Sequence, residues 1–225
     1  MEQLLDLDSA EVASEIVTEI RASSVQNTAS ARAVRRKYSQ MLKQASSEFV
    51  LDLGRELLED YGERWLACEL IQNHRTAFQS IGEAELEFGR GINSWGAVDS
   101  FARTLAGPAW LNGQVTDELI HRWARSKDRW WRRAALVSTV ALNVRSKGGY
   151  GDIPRTLAVC RMLVYDRDDM VVKAMSWALR ELVVHDPDAV SEFLDEYEDA
   201  LAARVKREVR NKLTTGLKNP KRKKG

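Results

Sequence analysis

Residues 128–134 read Asp-Arg-Trp-Trp-Arg-Arg-Ala, and 40 positions later residues 168–174 read Asp-Asp-Met-Val-Val-Lys-Ala. Both stretches place an acid first, large apolar residues third and fourth, a base sixth and alanine seventh. An aspartate ahead of such a turn is a favourable helix N-cap, because its carboxylate accepts hydrogen bonds from free backbone N–H groups. The two stretches therefore predict the starts of two equivalent helices.

A spacing of about 40 residues between equivalent helices is typical of HEAT units, in which pairs of helices stack on their neighbours. The acid then caps the helix, the apolar side chains pack on the next pair, and the base lies on another face. A weaker echo at residues 63–67, Glu-Arg-Trp-Leu-Ala, indicates the same plan in the first half. The prediction is an all-α fold, a HEAT-like repeat α-solenoid of antiparallel helix pairs with a concave binding face.

The four prolines, at 108, 154, 187 and 220, lie where the helical pattern pauses, as expected of a residue that breaks helices. Elsewhere apolar residues recur at helical spacing, and no long alternating strand pattern competes. We expect one domain over residues 1–217 and a basic tail over 218–225. Helices are expected near residues 4–22, 30–45, 47–60, 63–73, 83–90, 94–106, 115–126, 130–145, 153–165, 169–184, 188–201 and 204–217.

The composition excludes several classes of protein. Apolar residues make up 44% of the 225 residues, which is too many for a disordered chain. Cys68 and Cys160 stand alone in apolar stretches, so they support neither a disulfide framework nor a zinc site. No run approaches the roughly 20 apolar residues that span a bilayer, and acids stand where a secretory signal carries bases. A cytoplasmic protein with buried, reduced thiols is expected.

The net charge of +1 says little about partners, but bases crowd the chain from Arg204 to the C-terminal Lys-Asn-Pro-Lys-Arg-Lys-Lys-Gly. A locally basic surface is compatible with nucleic acid, although a charged tail is more often only a solvated end. The histidines, His74, His121 and His185, are scattered, with no metal-ligand spacing and no adjacent nucleophile. No metal and no cofactor are predicted.

Three tryptophans share a helical face with a charged residue three or four positions away. The pairs are Trp95 with Asp99, Trp130 with Arg133, and Trp177 with Arg180. Each pair alone is explained equally well by core packing beside a solvated polar group. Together they are more informative, because a repeat array aligns equivalent positions along one wall. A carboxylate among indoles and guanidinium groups suits a cationic ligand or transition state near phosphate.

Three blocks of sequence carry a family resemblance. They are residues 95–100 (Trp-Gly-Ala-Val-Asp-Ser), 130–137 (Trp-Trp-Arg-Arg-Ala-Ala-Leu-Val) and 173–181 (Lys-Ala-Met-Ser-Trp-Ala-Leu-Arg-Glu). In this order they resemble the AlkD-type DNA alkylation-repair glycosylases, from about residue 25 onward. The resemblance implies a cradle that binds duplex DNA containing alkylated bases and hydrolyses the N-glycosidic bond of cationic purines such as 3-methyladenine and 7-methylguanine. It also implies a lesion left largely stacked rather than extruded.

The resemblance assigns roles to individual residues. Asp99 would stabilise the developing sugar cation and position water, while Trp95 and Trp177 would line the lesion-bearing nucleotide. Arg133 would hold phosphate near Asp99, and Arg180 would be a supporting backbone contact. Arg145, Lys147 and Lys173 are further expected DNA contacts.

The N-terminal part departs from the family pattern. Family members commonly carry Gly-x-x-Thr-Pro-x-x-Arg before an early helix, whereas residues 25–32 read Val-Gln-Asn-Thr-Ala-Ser-Ala-Arg. Thr28 and Arg32 match, but alanine replaces the proline. The face that carries Arg32, Arg35 and Arg36 is still expected to reach DNA.

Two other functions remain open. The first is a non-catalytic binder of duplex or branched DNA on the same scaffold, against which the presence of Asp99 argues. The second is a protein-interaction scaffold, which is the commonest use of HEAT arrays. A steep salt dependence of DNA affinity would separate both DNA-binding functions from the scaffold. A monomer without membrane contact is expected.

Overall fold

The computed structural model describes residues 8–22 and 28–220, with the backbone alone for Thr28 and Glu87. All regular secondary structure in these residues is helical, so the all-α prediction is confirmed. The chain divides into two compact units, Met1–Arg90 and Gly91–Gly225. The prediction of one domain over residues 1–217 stays a prediction.

The first unit is built around α3, which packs on both α1 and α4. Ser46 caps α3 by accepting a hydrogen bond from the backbone N–H of Phe49 at 3.1 Å. Short 3-10 turns cover Leu42–Gln44 and Glu85–Gly89, so the helix predicted over residues 83–90 is only a 3-10 turn. The α-helices are α1 (Ser9–Ala22), α2 (Thr28–Met41), α3 (Ser47–Glu59), α4 (Arg64–Asn73) and α5 (Arg75–Gln79), of which α5 was not predicted.

The second unit is a series of stacked helix pairs. Its helices are α6 (Trp95–Phe101), α7 (Gly107–Leu111), α8 (Asp117–Ala124), α9 (Arg129–Asn143), α10 (Ile153–Met162), α11 (Asp169–Leu182), α12 (Pro187–Glu196) and α13 (Ala203–Thr215). The helices α6, α9, α11 and α13 pack in succession, each against the next. The helices α8, α10 and α12 cover them as a second layer. This is the helical repeat that the two matched stretches predicted.

The two matched stretches begin α9 and α11 in the same way. The Asp128 Oδ1 atom accepts a hydrogen bond from the backbone N–H of Trp130 at 2.9 Å. The Asp168 Oδ1 atom accepts one from the backbone N–H of Met170, also at 2.9 Å. Both aspartates therefore cap their helices as the sequence predicted, and the two copies of the repeat start in register.

The segment between α6 and α7 differs from the prediction. Residues 94–106 were expected to form one helix ending before Pro108, but the helical backbone continues through a π-helical segment, Ala102–Ala106, directly into α7. The backbone N–H of Gly107 donates to the Ala102 carbonyl, five residues back. This wider turn lies where proline removes a donor and clashes with the preceding turn. A Cβ atom at Gly107 would lie 2.6 Å from the Ser138 carbonyl, so only glycine lets α7 approach α9 this closely.

The cysteines and His74 occupy structural positions. Cys68 and Cys160 are buried as predicted, and burial raises the pKa of each thiol to about 12. The His74 Nδ1 atom caps α5 by accepting a hydrogen bond from the backbone N–H of Ala77 at 3.2 Å. At neutral pH the two thiols are therefore protonated, and the Nδ1 lone pair of His74 is used in the helix cap. Among the helices of residues 8–22 and 28–220, none combines the length and the hydropathy that crossing a bilayer requires.

Candidate functional site

A surface cleft of about 370 Å³ on the second unit collects the residues that the sequence singled out. All four predicted catalytic residues line it, together with two of the predicted DNA contacts. They meet because α6, α9 and α11 pack side by side, so that side chains more than 30 positions apart reach a common surface. The lining consists of Trp95, Asp99, Arg133, Met170, Lys173, Trp177, Arg180, Arg204 and Lys218.

Asp99 and Arg133 form a bidentate ion pair within the cleft. The Arg133 Nε atom donates to Asp99 Oδ1 at 3.0 Å, and Nη2 donates to Oδ2 at 2.9 Å. The third guanidinium nitrogen, Nη1, donates to the Met170 carbonyl at 2.6 Å. Arg133 is only 5% exposed. Each guanidinium nitrogen therefore donates within the protein, and the planar geometry of the group sets the orientation of the carboxylate.

The Asp99 side chain keeps 20% of its surface exposed, so it remains accessible from the cleft. Burial raises the pKa of Asp99 above its ordinary value, while the hydrogen bonds and charge of Arg133 and the charge of Arg103 oppose that rise. Arg103 lies in the π-helical segment that follows α6. The carboxylate thus carries a poorly solvated charge that a cation in the cleft would stabilise.

The indole of Trp95 faces solvent. Trp95 is the first residue of α6 and is 62% exposed, and Ser94 caps the helix by accepting from the Ala97 N–H at 3.4 Å. If Trp95 and Asp99 were an ordinary packing pair, the indole would be buried and the carboxylate solvated. The structure has the reverse arrangement, which is typical of a binding surface rather than a core.

Trp177 presents a second indole to the cleft from the third turn of α11. It is half-buried, and its Nε1 atom donates to Glu181 Oε1 at 2.8 Å. This hydrogen bond satisfies the polar edge of the ring and fixes its plane. Two aromatic faces and one carboxylate therefore line the same cleft.

The cleft has a basic rim, a name we use for Lys173, Arg180, Arg204 and Lys218. Together with Arg133 these make five basic side chains against one carboxylate in the lining. Lys173 is paired with Asp169 of its own helix at 2.5 Å, and Arg204 lies 3.6 Å from the same carboxylate. The excess of positive charge suits a polyanion such as a nucleic-acid backbone.

Sequence reasoning did not single out Arg204 and Lys218 as site residues. The one available signal was the crowding of bases after residue 204. That signal does not specify which of these bases face the cleft, because the answer depends on how α13 packs against α11.

Other predicted DNA contacts lie outside the cleft. Arg145 and Lys147 are in a 3-10 turn beyond the C-terminal end of α9. At 1.5 Å per residue this turn is roughly 18 Å along the helix from Arg133. Arg145 is exposed. Both residues stay predicted contacts.

The predicted contacts of the first unit lie on α2. Arg32 and Arg36 are exposed, whereas the Nε atom of Arg35 lies 3.5 Å from Glu69 Oε2 in an ion pair within the unit. The side chain of Thr28 lies outside the described residues. Arg32 and Arg36 are therefore the accessible bases of this face, and their contact with DNA stays a prediction.

A family model described as "DNA alkylation repair enzyme" matches residues 5–213. The chain belongs to this family. The match confirms the resemblance carried by the three sequence blocks and assigns the chain to DNA alkylation repair. It covers every residue that lines the cleft except Lys218. A search of curated proteins found no significant match.

Proposed function

We propose that the protein is a DNA glycosylase that hydrolyses the N-glycosidic bond of cationic alkylpurines, such as 3-methyladenine and 7-methylguanine, in duplex DNA. Base excision repair would begin with this step. The observation that carries the proposal is the Asp99 carboxylate, oriented by the buried Arg133 in a cleft that also holds Trp95 and Trp177. Membership of a DNA alkylation repair family supports it independently.

The chemistry needs only one carboxylate. An alkylated purine that already carries a positive charge leaves with the electron pair of the bond between C1′ and nitrogen, so no acid has to protonate it. Positive charge then develops on the deoxyribose, and Asp99 stabilises that charge. Water attacks C1′ and gives up its proton to the carboxylate or to solvent. The products are the free alkylpurine and an abasic site.

Arg133 takes a different role in this mechanism from the one that the resemblance implies. All three of its guanidinium nitrogens donate to Asp99 or to the Met170 carbonyl, and only 6% of the side chain is exposed, so little of it is left for a phosphate. Arg133 instead orients Asp99 and favours its ionised form. A carboxylate has about four acceptor positions, and Arg133 occupies two of them. The Asp99 side chain lines the cleft and is 20% exposed, so the remaining positions are left for sugar or water.

The indoles and the basic rim hold the substrate. A cationic purine is attracted to the faces of Trp95 and Trp177 through cation–π interactions, which add to stacking. The bases of the rim bind backbone phosphates, and this makes the affinity fall steeply with salt. Because the DNA is bound through its backbone, binding itself does not depend on sequence.

A second candidate function is DNA binding without excision. The observation that favours it is the pairing of both Asp99 oxygens with one guanidinium, which partly neutralises the carboxylate. The same cleft and rim would then serve only to recognise damaged or distorted duplex.

Release of free base separates the two functions. We expect the wild-type protein, incubated with methylated duplex DNA, to release alkylpurine that chromatography detects. The Asp99→Asn variant should lose about two to three orders of magnitude in the single-turnover rate, since the charge that stabilises the sugar cation is gone. DNA binding by this variant should be retained.

The matched control is Asp169→Asn, which also removes one carboxylate from the edge of the cleft. Asp169 is exposed and paired with Lys173 and Arg204 rather than with Arg133. Excision by this variant should stay close to the wild-type rate. If wild-type protein binds methylated duplex tightly and releases no base, the glycosylase proposal fails and the binding function replaces it.

A further inference from the structure

A buried carboxylate lies behind the basic rim. Glu208, on α13, is 4% exposed. Its Oε2 atom accepts a hydrogen bond from the Ser176 hydroxyl at 2.6 Å and lies 3.4 Å from the Lys218 ammonium. Burying a carboxylate is unfavourable unless charges and hydrogen bonds compensate. The buried carboxylate therefore needs its partners. Two of them, Ser176 and Lys218, connect Glu208 to cations of the cleft.

The first route runs through Ser176 to Arg180. The Arg180 Nε atom donates to Ser176 Oγ at 3.3 Å, and the same hydroxyl donates to Glu208. Burial lowers the pKa of Arg180, while the charges of Glu208 and Glu181 oppose that change. The Nε side of the Arg180 guanidinium is thus fixed by the hydrogen bonds through Ser176 to Glu208. Its two Nη nitrogens have no hydrogen-bond partner among the described residues, and Arg180 lines the cleft.

The second route runs to Lys218. Gly216 ends α13 in the left-handed conformation, with φ of +73°, so the chain turns back on itself. The Asn211 side chain then donates to the Lys218 carbonyl at 3.0 Å, which holds the backbone, while Glu208 holds the ammonium. The Lys218 side chain remains 43% exposed and lines the cleft.

We propose that Arg180 and Lys218, with Arg204 of the same cleft, form a binding subsite for a DNA backbone phosphate, and that Glu208 is the positioning residue that holds the first two. One buried carboxylate aligns two cations from separate segments of the chain, so their free N–H groups converge on one anion. This inference rests on the proposed DNA-binding function and extends it to a residue outside the family match, Lys218.

The test uses the Glu208→Gln variant. A positioning role for Glu208 and a simple charge effect predict changes of DNA affinity in opposite directions. Removing a negative charge near DNA ordinarily strengthens binding. Glutamine keeps the size of the side chain and an acceptor for Ser176, but it no longer attracts Lys218 or Arg180. If Glu208 positions the two cations, duplex affinity should instead fall by roughly three- to tenfold. Fluorescence anisotropy with labelled undamaged duplex measures this, beside thermal unfolding to verify the fold.

Lys218→Ala provides a second variant that does not depend on a buried substitution. It should lose roughly three- to tenfold in affinity and lower the slope of log affinity against log salt by about one. Lys206→Ala is the matched control, because it also removes one positive charge near this end of the chain. Lys206 lies on α13, is paired with Glu198 at 3.1 Å and does not line the cleft. The double variant, with both Glu208→Gln and Lys218→Ala, should lose less binding free energy than the sum of the losses of the two single variants.

The outcomes are distinct. If Glu208→Gln binds as tightly as the wild type or more tightly, or if Lys218→Ala loses no more than Lys206→Ala, the phosphate subsite is wrong. Should these variants behave like the wild type while wild-type protein still binds duplex and releases alkylpurine, only the subsite is refuted. Absence of any duplex binding by the wild type would refute the proposed function and the subsite together.

Discussion

The starts of α9 and α11 are two copies of one sequence pattern with different outcomes. Both are capped by aspartate with the same 2.9 Å hydrogen bond. In α9 the base of the pattern is Arg133, which is 5% exposed and bound to Asp99 of α6. In α11 it is Lys173, whose side chain is 39% exposed and paired with Asp169 of its own helix. One slot is thus a buried positioning group and the other a surface cation.

The difference follows from what the neighbouring helix offers. Asp99 is the fifth residue of α6, and the fifth residue of α9 is Arg133 itself, a cation. Lys173 therefore has no carboxylate at the equivalent position of its neighbouring helix and stays at the surface. The repeat fixes where the basic side chain lies on its helix. The neighbouring helix decides whether that base finds a carboxylate partner and becomes part of the site.

The largest expected contrast between the two copies is in stability. Arg133→Gln breaks a buried bidentate pair and leaves the Met170 carbonyl without its donor, so the free energy of unfolding should fall by about 3 kcal/mol. Lys173→Gln, the same change in the other copy, breaks an exposed pair within one helix and should cost less than about 0.5 kcal/mol. Urea unfolding of both variants measures the difference. Equal losses would contradict the distinction between the two slots.

The pH dependence of excision should report on the ion pair that the first copy makes with Asp99. Burial raises the pKa of Asp99, so its carboxylate becomes protonated at a higher pH than an ordinary aspartate with a pKa of 3.8. The protonated form cannot stabilise the sugar cation, and the single-turnover rate should fall up to about tenfold per pH unit below the raised pKa. The residual rate of Asp99→Asn should lack this limb. A wild-type rate that stays flat until the pH reaches 3.8 would argue against Asp99.

The same shift has a consequence for folding. Because the folded protein holds the Asp99 proton to a higher pH than the unfolded chain, the Asp99 contribution to stability is present below the ordinary pKa. It is lost as the pH rises through the raised folded value. The wild type should accordingly lose stability relative to Asp99→Asn as the pH increases across that window, and urea unfolding at several pH values tests the sign.

The smallest expected effect concerns the caps, where the two copies should behave alike. Asp128→Ala and Asp168→Ala each remove the acceptor for one N-terminal N–H and should lower the free energy of unfolding by about 1 kcal/mol. The Asp168 variant should lose slightly more, since Arg129 also donates to Asp168 at 3.4 Å. Asparagine at either position should restore the cap. A larger loss at Asp128 than at Asp168 would show that the two starts are not equivalent.

The sequence by itself determined the helical repeat, the two capped helix starts and the main residues of the cleft. These depend on interactions within a few positions: a carboxylate and the N–H groups just ahead of it, or apolar residues recurring along one helix face. Helical spacing singled out Asp99, Trp95 and Trp177, and the resemblance assigned their roles through local blocks. Local interactions can be predicted from a sequence because the residues that make them are close together in it.

Only the tertiary structure decided how these residues are used. Arg133 binds Asp99 across 34 positions, and Glu208 binds Ser176 across 32, so neither partner is visible in a local pattern. Arg204 and Lys218 reach the cleft because α13 packs on α11 and the chain then reverses at Gly216. The π-helical segment after α6 likewise depends on the approach of α7 to α9. Packing between helices determines which side chains come into contact. Because the packed helices are far apart in the sequence, these contacts cannot be predicted from local patterns.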